Sequence, residues 1–228
     1  MDVRRADDRY PGGEPGAGIT TRHAFSFGPH YDPDNLGFGP LIAVNEERLE
    51  PGAGFDEHPH RHVEIVTWVL EGELTHRDSG GRERRVRPGD LQHLGAGSGV
   101  RHVERNDGSV PCRFLQMWLA PREGVPGEPA YRLVRELRAG AYELPEARAV
   151  LHIHRLAAGD NVALPAAGSL YVHLASGGLR VDGEPLTAGD AARITGEGAL
   201  TAEAAAPSEF LVWEFAAPDP AVGSGTAG

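Results

Sequence analysis

Two pairs of potential metal ligands stand out in the middle of the chain. His58 and His60 are separated by one residue, and His102 and Glu104 repeat that spacing 42 residues later. Residues i and i+2 of a β-strand face the same side, so each pair projects into one space. Three imidazole nitrogens and one carboxylate oxygen can bind a divalent ion and leave positions open for water, dioxygen or a substrate oxygen. The spacing therefore predicts a reactive metal site rather than a closed structural one.

The composition narrows the classes of function. The chain of 228 residues has 11 histidines and one cysteine, Cys112, which excludes an intramolecular disulfide and fits a reducing compartment. The formal net charge of −11 disfavours direct binding to nucleic acid. The N-terminus lacks an apolar signal segment, and no apolar window reaches the roughly 18 residues of a membrane span. We therefore expect a soluble, cytoplasmic protein without membrane contact.

The elements around the predicted ligands are short strands. Apolar runs over residues 41–44, 64–70 and 114–119 are rich in β-branched and aromatic residues, and turn signals separate them. This pattern predicts an all-β sandwich or barrel. Helical turns are expected only over residues 131–137 and 144–150.

The same pattern returns in weakened form about a hundred residues later, which indicates a duplicated β-barrel. The sequence Arg87-Pro88-Gly89-Asp90 is echoed by Thr187-Ala188-Gly189-Asp190, and Phe114-Leu115-Gln116-Met117-Trp118 is echoed by Phe210-Leu211-Val212-Trp213. The predicted organisation is a metal-binding domain over 1–120, a linker over 121–130, a C-terminal domain without metal ligands over 131–217, and a disordered tail over 218–228.

The second repeat lacks the ligands of the first. When the repeats are aligned, Ala163 and Pro165 occupy the positions of the first histidine pair, and Thr201 and Glu203 or their neighbours occupy those of the second pair. A divalent ion needs at least three good ligands. We therefore expect the C-terminal barrel to be structural or to face a partner.

The ligand pairs and their surroundings resemble the two cupin motifs. The first motif is carried by Gly54, His58, His60, Glu64 and Gly72, and the second by Gly89, Gly99, His102 and Asn106. Further segments resemble the pirin family: residues 5–9, 25–27, 31–33, 51–61, 75–80 and 88–92. The resemblance is dense from Arg4 to about Trp118 and thin afterwards. It points to a bacterial pirin-like bicupin of the kind associated with quercetin 2,3-dioxygenase activity.

The resemblance implies a ligand set and a metal. By position, the pirin metal ligands correspond to His58, His60, His102 and Glu104. Glu64, which is a ligand in many other cupins, is the main rival to Glu104. The ion implied by the family is Fe(II), although the ligand types would also accept Ni, Mn, Co, Cu or Zn.

The resemblance also implies a reaction, cleavage of a small aromatic flavonol such as quercetin with O2. Glu104, or secondarily Glu64, is the candidate acceptor of the flavonol 3-hydroxyl proton, and carbon monoxide leaves to give a depside. The candidate aromatic and apolar walls are Phe38, Phe55, Trp68, Met117 and Trp118. An alternative hypothesis is a non-catalytic iron-binding regulator that docks on a transcription factor or a metabolic enzyme. A third is a cupin acting on another oxygen-rich substrate.

Three further histidines lie near the predicted ligands in sequence. His62 has the strand parity of His58 and His60 and would face inward if the strand continued without a bulge. His93 precedes the glycine-rich approach to the second ligand pair and is a candidate for lining the pocket. His76 lies beside a turn, and we expect backbone hydrogen bonds to fix its ring.

Overall fold

The computed structural model describes residues 1–122, 127–137 and 140–216, and nearly all their regular structure is β-strand. Four antiparallel sheets form two barrels, so the predicted all-β bicupin architecture is confirmed. Three single turns of 3-10 helix lie at Ala6–Asp8, Pro15–Ala17 and Pro145–Ala147. None of the helices in the described part of the chain has the length and apolar content needed to cross a bilayer.

The N-terminal barrel consists of a seven-stranded and a four-stranded sheet. The larger sheet has the order β12 (Ala130–Val134), β9 (Leu91–Gly95), β6 (Glu64–Glu71), β11 (Cys112–Leu119), β4 (Leu41–Leu49), β3 (Ile19–His23) and β2 (Tyr10–Gly12). The smaller sheet has the order β5 (Gly54–His60), β10 (Val100–Arg105), β7 (Leu74–Asp78) and β8 (Glu83–Val86). The three strands predicted from apolar runs correspond to β4, β6 and β11.

The C-terminal barrel repeats this arrangement. Its six-stranded sheet has the order β1 (Asp2–Arg4), β19 (Ala191–Thr195), β16 (Ser169–Ser176), β21 (Ser208–Phe215), β14 (Ala149–Leu156) and β13 (Gly140–Leu144). Its four-stranded sheet has the order β15 (Asn161–Ala163), β20 (Thr201–Ala204), β17 (Gly178–Val181) and β18 (Glu184–Thr187). The order β15-β20-β17-β18 matches β5-β10-β7-β8 strand for strand.

The two halves exchange edge strands. The first strand of the chain, β1, pairs with β19 of the C-terminal barrel, and β12 pairs with β9 of the N-terminal barrel. The expectation of a helical turn over residues 131–137 was wrong, because backbone pairing with β9 holds most of this segment in an extended conformation. The other expected turn, over 144–150, contains the 3-10 helix Pro145–Ala147.

The domain limits predicted from the sequence stay predictions. The exchange of edge strands means that no single cut in the chain separates the two barrels. Residues 123–126 of the predicted linker lie outside the described residues. The predicted disordered tail over 218–228 also lies outside them.

The two large sheets pack back to back through an apolar core. Its largest fully buried side chains include Trp68, Trp213, Tyr171 and Phe25. The Trp213 Nε1–H donates to Met117 Sδ at 3.1 Å across this interface. Side chains alternate between the faces of each large sheet, so one set enters this shared core and the other enters a barrel interior.

Candidate metal centre

Strands β5 and β10 bring three histidines of the predicted site together. His58 lies directly opposite His102 in the strand pair, and His60 lies two residues further along β5. One ring nitrogen from each lies within 4.8 Å of the other two. The Nε2 atoms of His58 and His102 are 2.9 Å apart. Two nitrogens on one ion are at most about 4.2 Å apart, so these separations are close to those of ligands that share an ion.

A β-bulge in β5 sets the orientation of the first histidine. His102 faces His58, yet Glu104, two residues on, faces Phe55, three residues back. The bulged backbone places the carbonyl of Asp56 where it accepts a hydrogen bond from His58 Nδ1 at 2.7 Å. Nδ1 therefore carries the proton, and the Nε2 lone pair is left free for a metal.

His60 has the environment expected of a metal ligand. Its Nε2 atom is buried and has no hydrogen-bond partner among the described residues. Burial, with repulsion from His102 and His58, lowers the pKa of His60 to about 4, so the ring is neutral and its nitrogen can donate a lone pair. An orphaned neutral imidazole beside two others fits a divalent ion, which would satisfy the buried nitrogen.

Glu104 lies beside this cluster as a buried carboxylate. Its Oε1 accepts a hydrogen bond from Gln92 Nε2 at 3.2 Å, and its Oε2 accepts one from Gln116 Nε2 at 2.7 Å. Burial opposes ionisation, but the charges of His102 and His76 and the Gln116 bond lower the pKa of Glu104. Its oxygen clusters with nitrogens of His102 and His76, while its side chain lines the same cavity as the other two histidines.

His76 is closer to the centre than its sequence suggests. It is fully buried on β7, and its Nδ1 lies 3.4 Å from Nδ1 of His102. Its Nε2 lies 3.4 Å from Asp78 Oδ2, and its ring packs at 4.9 Å from that of Tyr131. Side chains therefore surround the ring, and the expected backbone hydrogen bonds were wrong. Only the sheet order, with β7 next to β10, reveals this proximity.

Glu64 and His93 lie on the opposite face of the seven-stranded sheet. His93 Nε2 is 2.7 Å from Glu64 Oε2, and His93 Nδ1 is 2.8 Å from the Tyr142 hydroxyl. This pairing turns the rival carboxylate away from the three clustered histidines, and it contradicts the expectation that His93 lines their pocket. His62 is also outside the site, because β5 ends at His60 and the chain turns there with a φ of 52° at an exposed His62.

The cavity above the histidines has a volume of about 190 Å³. It is lined by Phe27, Asn45, Glu47, Phe55, His58, His60, Glu104, Gln116 and Trp118. Of the predicted walls, Phe55 and Trp118 are present. Trp68 and Met117 belong to the core between the barrels, and Phe38 packs against it, so those three predictions were wrong. For Trp68 on β6 and Met117 on β11, strand parity is the reason, since side chains of a strand alternate between the two faces of the sheet.

Sequence inspection missed Glu47 as a residue of this cavity. Its carboxyl is buried and bonded to the Thr21 hydroxyl. Burial, with the nearby charges of Glu104 and Glu46, raises the pKa of Glu47 to about 8. The cavity thus contains one ionised carboxylate, Glu104, and one carboxyl that is neutral at pH 7.

Comparisons with known proteins agree with this geometry. The family model described as Pirin matches residues 4–119, and the one described as Quercetinase C-terminal cupin domain matches residues 146–215. A Mycobacterium bovis protein named "Putative quercetin 2,3-dioxygenase Mb0187c" is 40% identical over 233 residues, covering 94% of this chain and 95% of that protein. The Escherichia coli K12 "Quercetin 2,3-dioxygenase" is 32% identical over 209 residues, covering 85% of this chain and 90% of its own. The crystal structure of the bacterial pirin YhhW from Escherichia coli in complex with nickel(II) matches with a TM-score of 0.87 and 28% identity, covering 95% and 99% of the two chains.

Proposed function

Because the chain belongs to the pirin family, we propose that it is a metal-dependent dioxygenase that cleaves a flavonol such as quercetin with O2. The observation that carries this proposal is the cluster of three imidazoles, two of which line an aromatic cavity together with the Glu104 carboxylate. We propose His58, His60, His102 and Glu104 as the ligands and Fe(II) as the ion. Nickel(II) in the related YhhW structure supports a divalent ion at a site of this kind.

The residues of the cavity fit a flat, oxygen-rich substrate. The rings of Phe27, Phe55 and Trp118 provide apolar surfaces for the flavonol rings. A divalent ion held there would act as a Lewis acid that favours the ionised 3-hydroxyl of the substrate. Because its pKa is lowered, Glu104 is ionised, and in this proposal the carboxylate accepts the hydroxyl proton. Glu47, protonated at pH 7, can donate a hydrogen bond to a substrate oxygen.

The overall reaction balances without a further reductant. Both atoms of O2 are incorporated, the flavonol loses one carbon as carbon monoxide, and the remaining carbons form the depside. The chain's own residues therefore need to bind the substrate, move one proton and exclude bulk water. The buried positions of Glu104 and Gln116 suit the last task.

The direct test follows the loss of quercetin absorbance together with O2 consumption in iron-loaded protein. The His102→Ala variant is expected to lose metal and turnover together, by on the order of 100-fold or more, because it removes a ligand. His62→Ala is the matched control, since that histidine is exposed beyond the end of the same strand as His58 and His60. It is expected to keep both properties.

A second variant isolates the carboxylate. Glu104→Gln is expected to keep part of the metal but to lose turnover, because an amide cannot accept the hydroxyl proton. Unchanged quercetin turnover in Glu104→Gln would reject the role of Glu104 as proton acceptor. Absence of turnover with Fe(II), Ni, Mn, Co, Cu and Zn alike, in protein that binds these ions, would reject the enzymatic proposal and leave the regulatory hypothesis.

A further inference from the structure

A second cavity lies between the two barrels, and the proposed chemistry does not use it. It has a volume of about 240 Å³ and is bounded by the N-terminal segment on one side and by strands β16 and β19 on the other. Its lining includes three arginines, two aspartates and several uncharged polar side chains: Arg4, Arg5, Arg9, Asp8, Asp32, Tyr10, Asn35, Tyr171 and His173. None of these residues belongs to the cluster of metal-ligating side chains.

Unpartnered polar groups face this cavity from β16. Tyr171 and His173 are 1% and 2% exposed, and both line the cavity. Neither the Tyr171 hydroxyl nor either ring nitrogen of His173 has a hydrogen-bond partner among the described residues. Burial, with the charge of Arg9, lowers the pKa of His173 to about 4, so its neutral ring offers one donor and one acceptor. Buried polar groups are rarely left without hydrogen bonds. The absence of partners for both side chains therefore indicates that a ligand or water molecule bonds to them.

A buried positive charge lies behind these groups, on a residue that does not itself line the cavity but contacts Asn35, which does. Arg193 is 7% exposed and lies directly opposite Tyr171 in the β16–β19 pair. Its Nη2 donates to Asn35 Oδ1 at 2.5 Å, and its guanidinium lies over the ring of Phe25 at 4.7 Å. Its Nε has no partner, and no carboxylate within the described ranges forms an ion pair with it. Asp2 lies opposite Arg193 in the β1–β19 pair and its charge attracts the guanidinium, but the two groups form no direct ion pair. A buried cation without a direct ion pair favours an anion close by.

The neighbouring arginines, unlike Arg193, form ion pairs with carboxylates. Arg5 forms ion pairs with Asp190 and Glu184, and Arg9 forms one with Glu46. Arg193 therefore differs from Arg5 and Arg9 in having no direct ion pair among the described residues. Arg5 is exposed at the rim of the cavity, which gives a small ligand a path to the buried groups.

The other half of the molecule shows what kind of partner is missing. In the repeat alignment, His93 on β9 corresponds to Arg193 on β19. His93 is paired with the Glu64 carboxylate at 2.7 Å. The position corresponding to Glu64 holds Ser169, which has no carboxylate. The N-terminal half thus supplies its own carboxylate at this position, and the C-terminal half does not.

We propose that the cavity between the barrels is a binding site for a small organic carboxylate. The Tyr171 hydroxyl and the His173 N–H donate to its oxygens, and its charge compensates that of the adjacent Arg193. The second ring nitrogen of His173 can accept a hydrogen bond from a hydroxyl group on the same ligand. A volume near 240 Å³ suits a compact acid, below the size range of drug-like ligands.

The test is calorimetric titration of the metal-loaded protein at constant ionic strength with benzoate, acetate, benzamide and inorganic phosphate. We expect saturable binding of one benzoate or acetate per chain and none of the neutral benzamide. Tyr171→Phe is expected to weaken carboxylate binding about tenfold, since it removes one hydrogen bond to a charged group. Tyr31→Phe is the matched control, because that tyrosine is 77% exposed and loses the same hydroxyl.

Two further variants separate this site from the metal centre. Arg193→Met is expected to lower carboxylate affinity at least tenfold with the metal content unchanged, while His58→Ala is expected to lose metal and keep benzoate binding. Loss of benzoate binding in His58→Ala with retention in Tyr171→Phe would overturn the proposal, because the anion would then sit on the metal. Binding of benzamide, of phosphate alone or of none of the four probes would overturn it as well.

Discussion

The two barrels share one strand order but differ in what fills them. The polar side chains that point into the interior of the N-terminal barrel include Thr67, Gln92 and Gln116. The corresponding positions of the C-terminal barrel hold Val172, Ala192 and Val212, all within one apolar cluster. Strand β15 pairs with β20 as β5 pairs with β10, so the frame that could hold ligands is present in both halves.

The difference shows that ligands and their support change together. A buried carboxylate such as Glu104 needs donors, and Gln92 and Gln116 provide them. Without a carboxylate, the same amides would be buried without partners, and aliphatic side chains are then more stable. The interior of the N-terminal barrel thus contains a polar centre where the interior of the C-terminal barrel contains a packed apolar core.

The largest expected effect is on metal content. His58→Ala is expected to lower the affinity for the ion by on the order of 100-fold or more, because it removes a ligand. His152→Ala is the matched change in the other barrel, where the imidazole is paired with Glu214 at 2.8 Å, and it is expected to leave metal content unchanged. Elemental analysis after dialysis measures both. Two ions per chain, one of them surviving His58→Ala, would contradict the contrast between the barrels.

Much of this contrast was predictable from sequence, because it rests on strand parity and spacing. The spacing of His58, His60 and His102 predicts that they converge, and the structure brings them together. The β-bulge that orients His58 left no signal of its own, since it depends on how β5 and β10 are paired.

The errors came from tertiary neighbours that a single sequence does not specify. His93 was expected in the pocket, yet parity on β9 turns it toward Glu64 and Tyr142. Glu47 was missed because an isolated glutamate on a strand is usually solvated. Only the pairing of β4 with β11 brings it into the cavity.

An intermediate effect, on the free energy of unfolding, is expected when a polar side chain of the N-terminal barrel is introduced at the corresponding position of the C-terminal barrel. Val212→Gln buries an amide among aliphatic side chains and is expected to lower the free energy of unfolding by about 3 kcal/mol. Val212→Met is the control of similar size and is expected to cost about 1 kcal/mol through crowding alone. Urea unfolding monitored by circular dichroism measures both. Equal losses in the two variants would show that the C-terminal interior can solvate a polar group.

The smallest expected effect concerns two titratable groups at corresponding positions. Glu47 faces Phe114 in the β4–β11 pair, and His154 faces Phe210 in the β14–β21 pair. Burial raises the pKa of Glu47 to about 8 and, with the charge of His152, lowers that of His154. Both groups therefore favour their neutral forms in the folded protein, although one is an acid and the other a base.

The two shifts act in opposite pH ranges. The folded state holds the Glu47 proton more tightly than the unfolded state, so its stability falls as pH rises from about 4.5 to about 8. The folded state binds a proton on His154 less tightly, so its stability falls as pH drops below 6.5, the ordinary pKa of histidine. Glu47→Gln is thus expected to flatten the alkaline side of the stability profile, and His154→Gln the acid side.

The raised pKa of Glu47 also indicates how strongly the free energy of unfolding should depend on pH on the alkaline side. Because the pKa of Glu47 is raised to about 8 in the folded protein, the loss of stability from about pH 4.5 to about pH 8 is expected to be on the order of 2 kcal/mol. Unfolding free energies measured from pH 5 to pH 9, with Glu50→Gln as an exposed control, test this directly. If Glu47→Gln leaves the slope between pH 5 and pH 8 unchanged, then Glu47 is ionised in the folded protein. The cavity would in that case hold two carboxylates, and the neutral hydrogen-bond donor assigned to Glu47 would be lost.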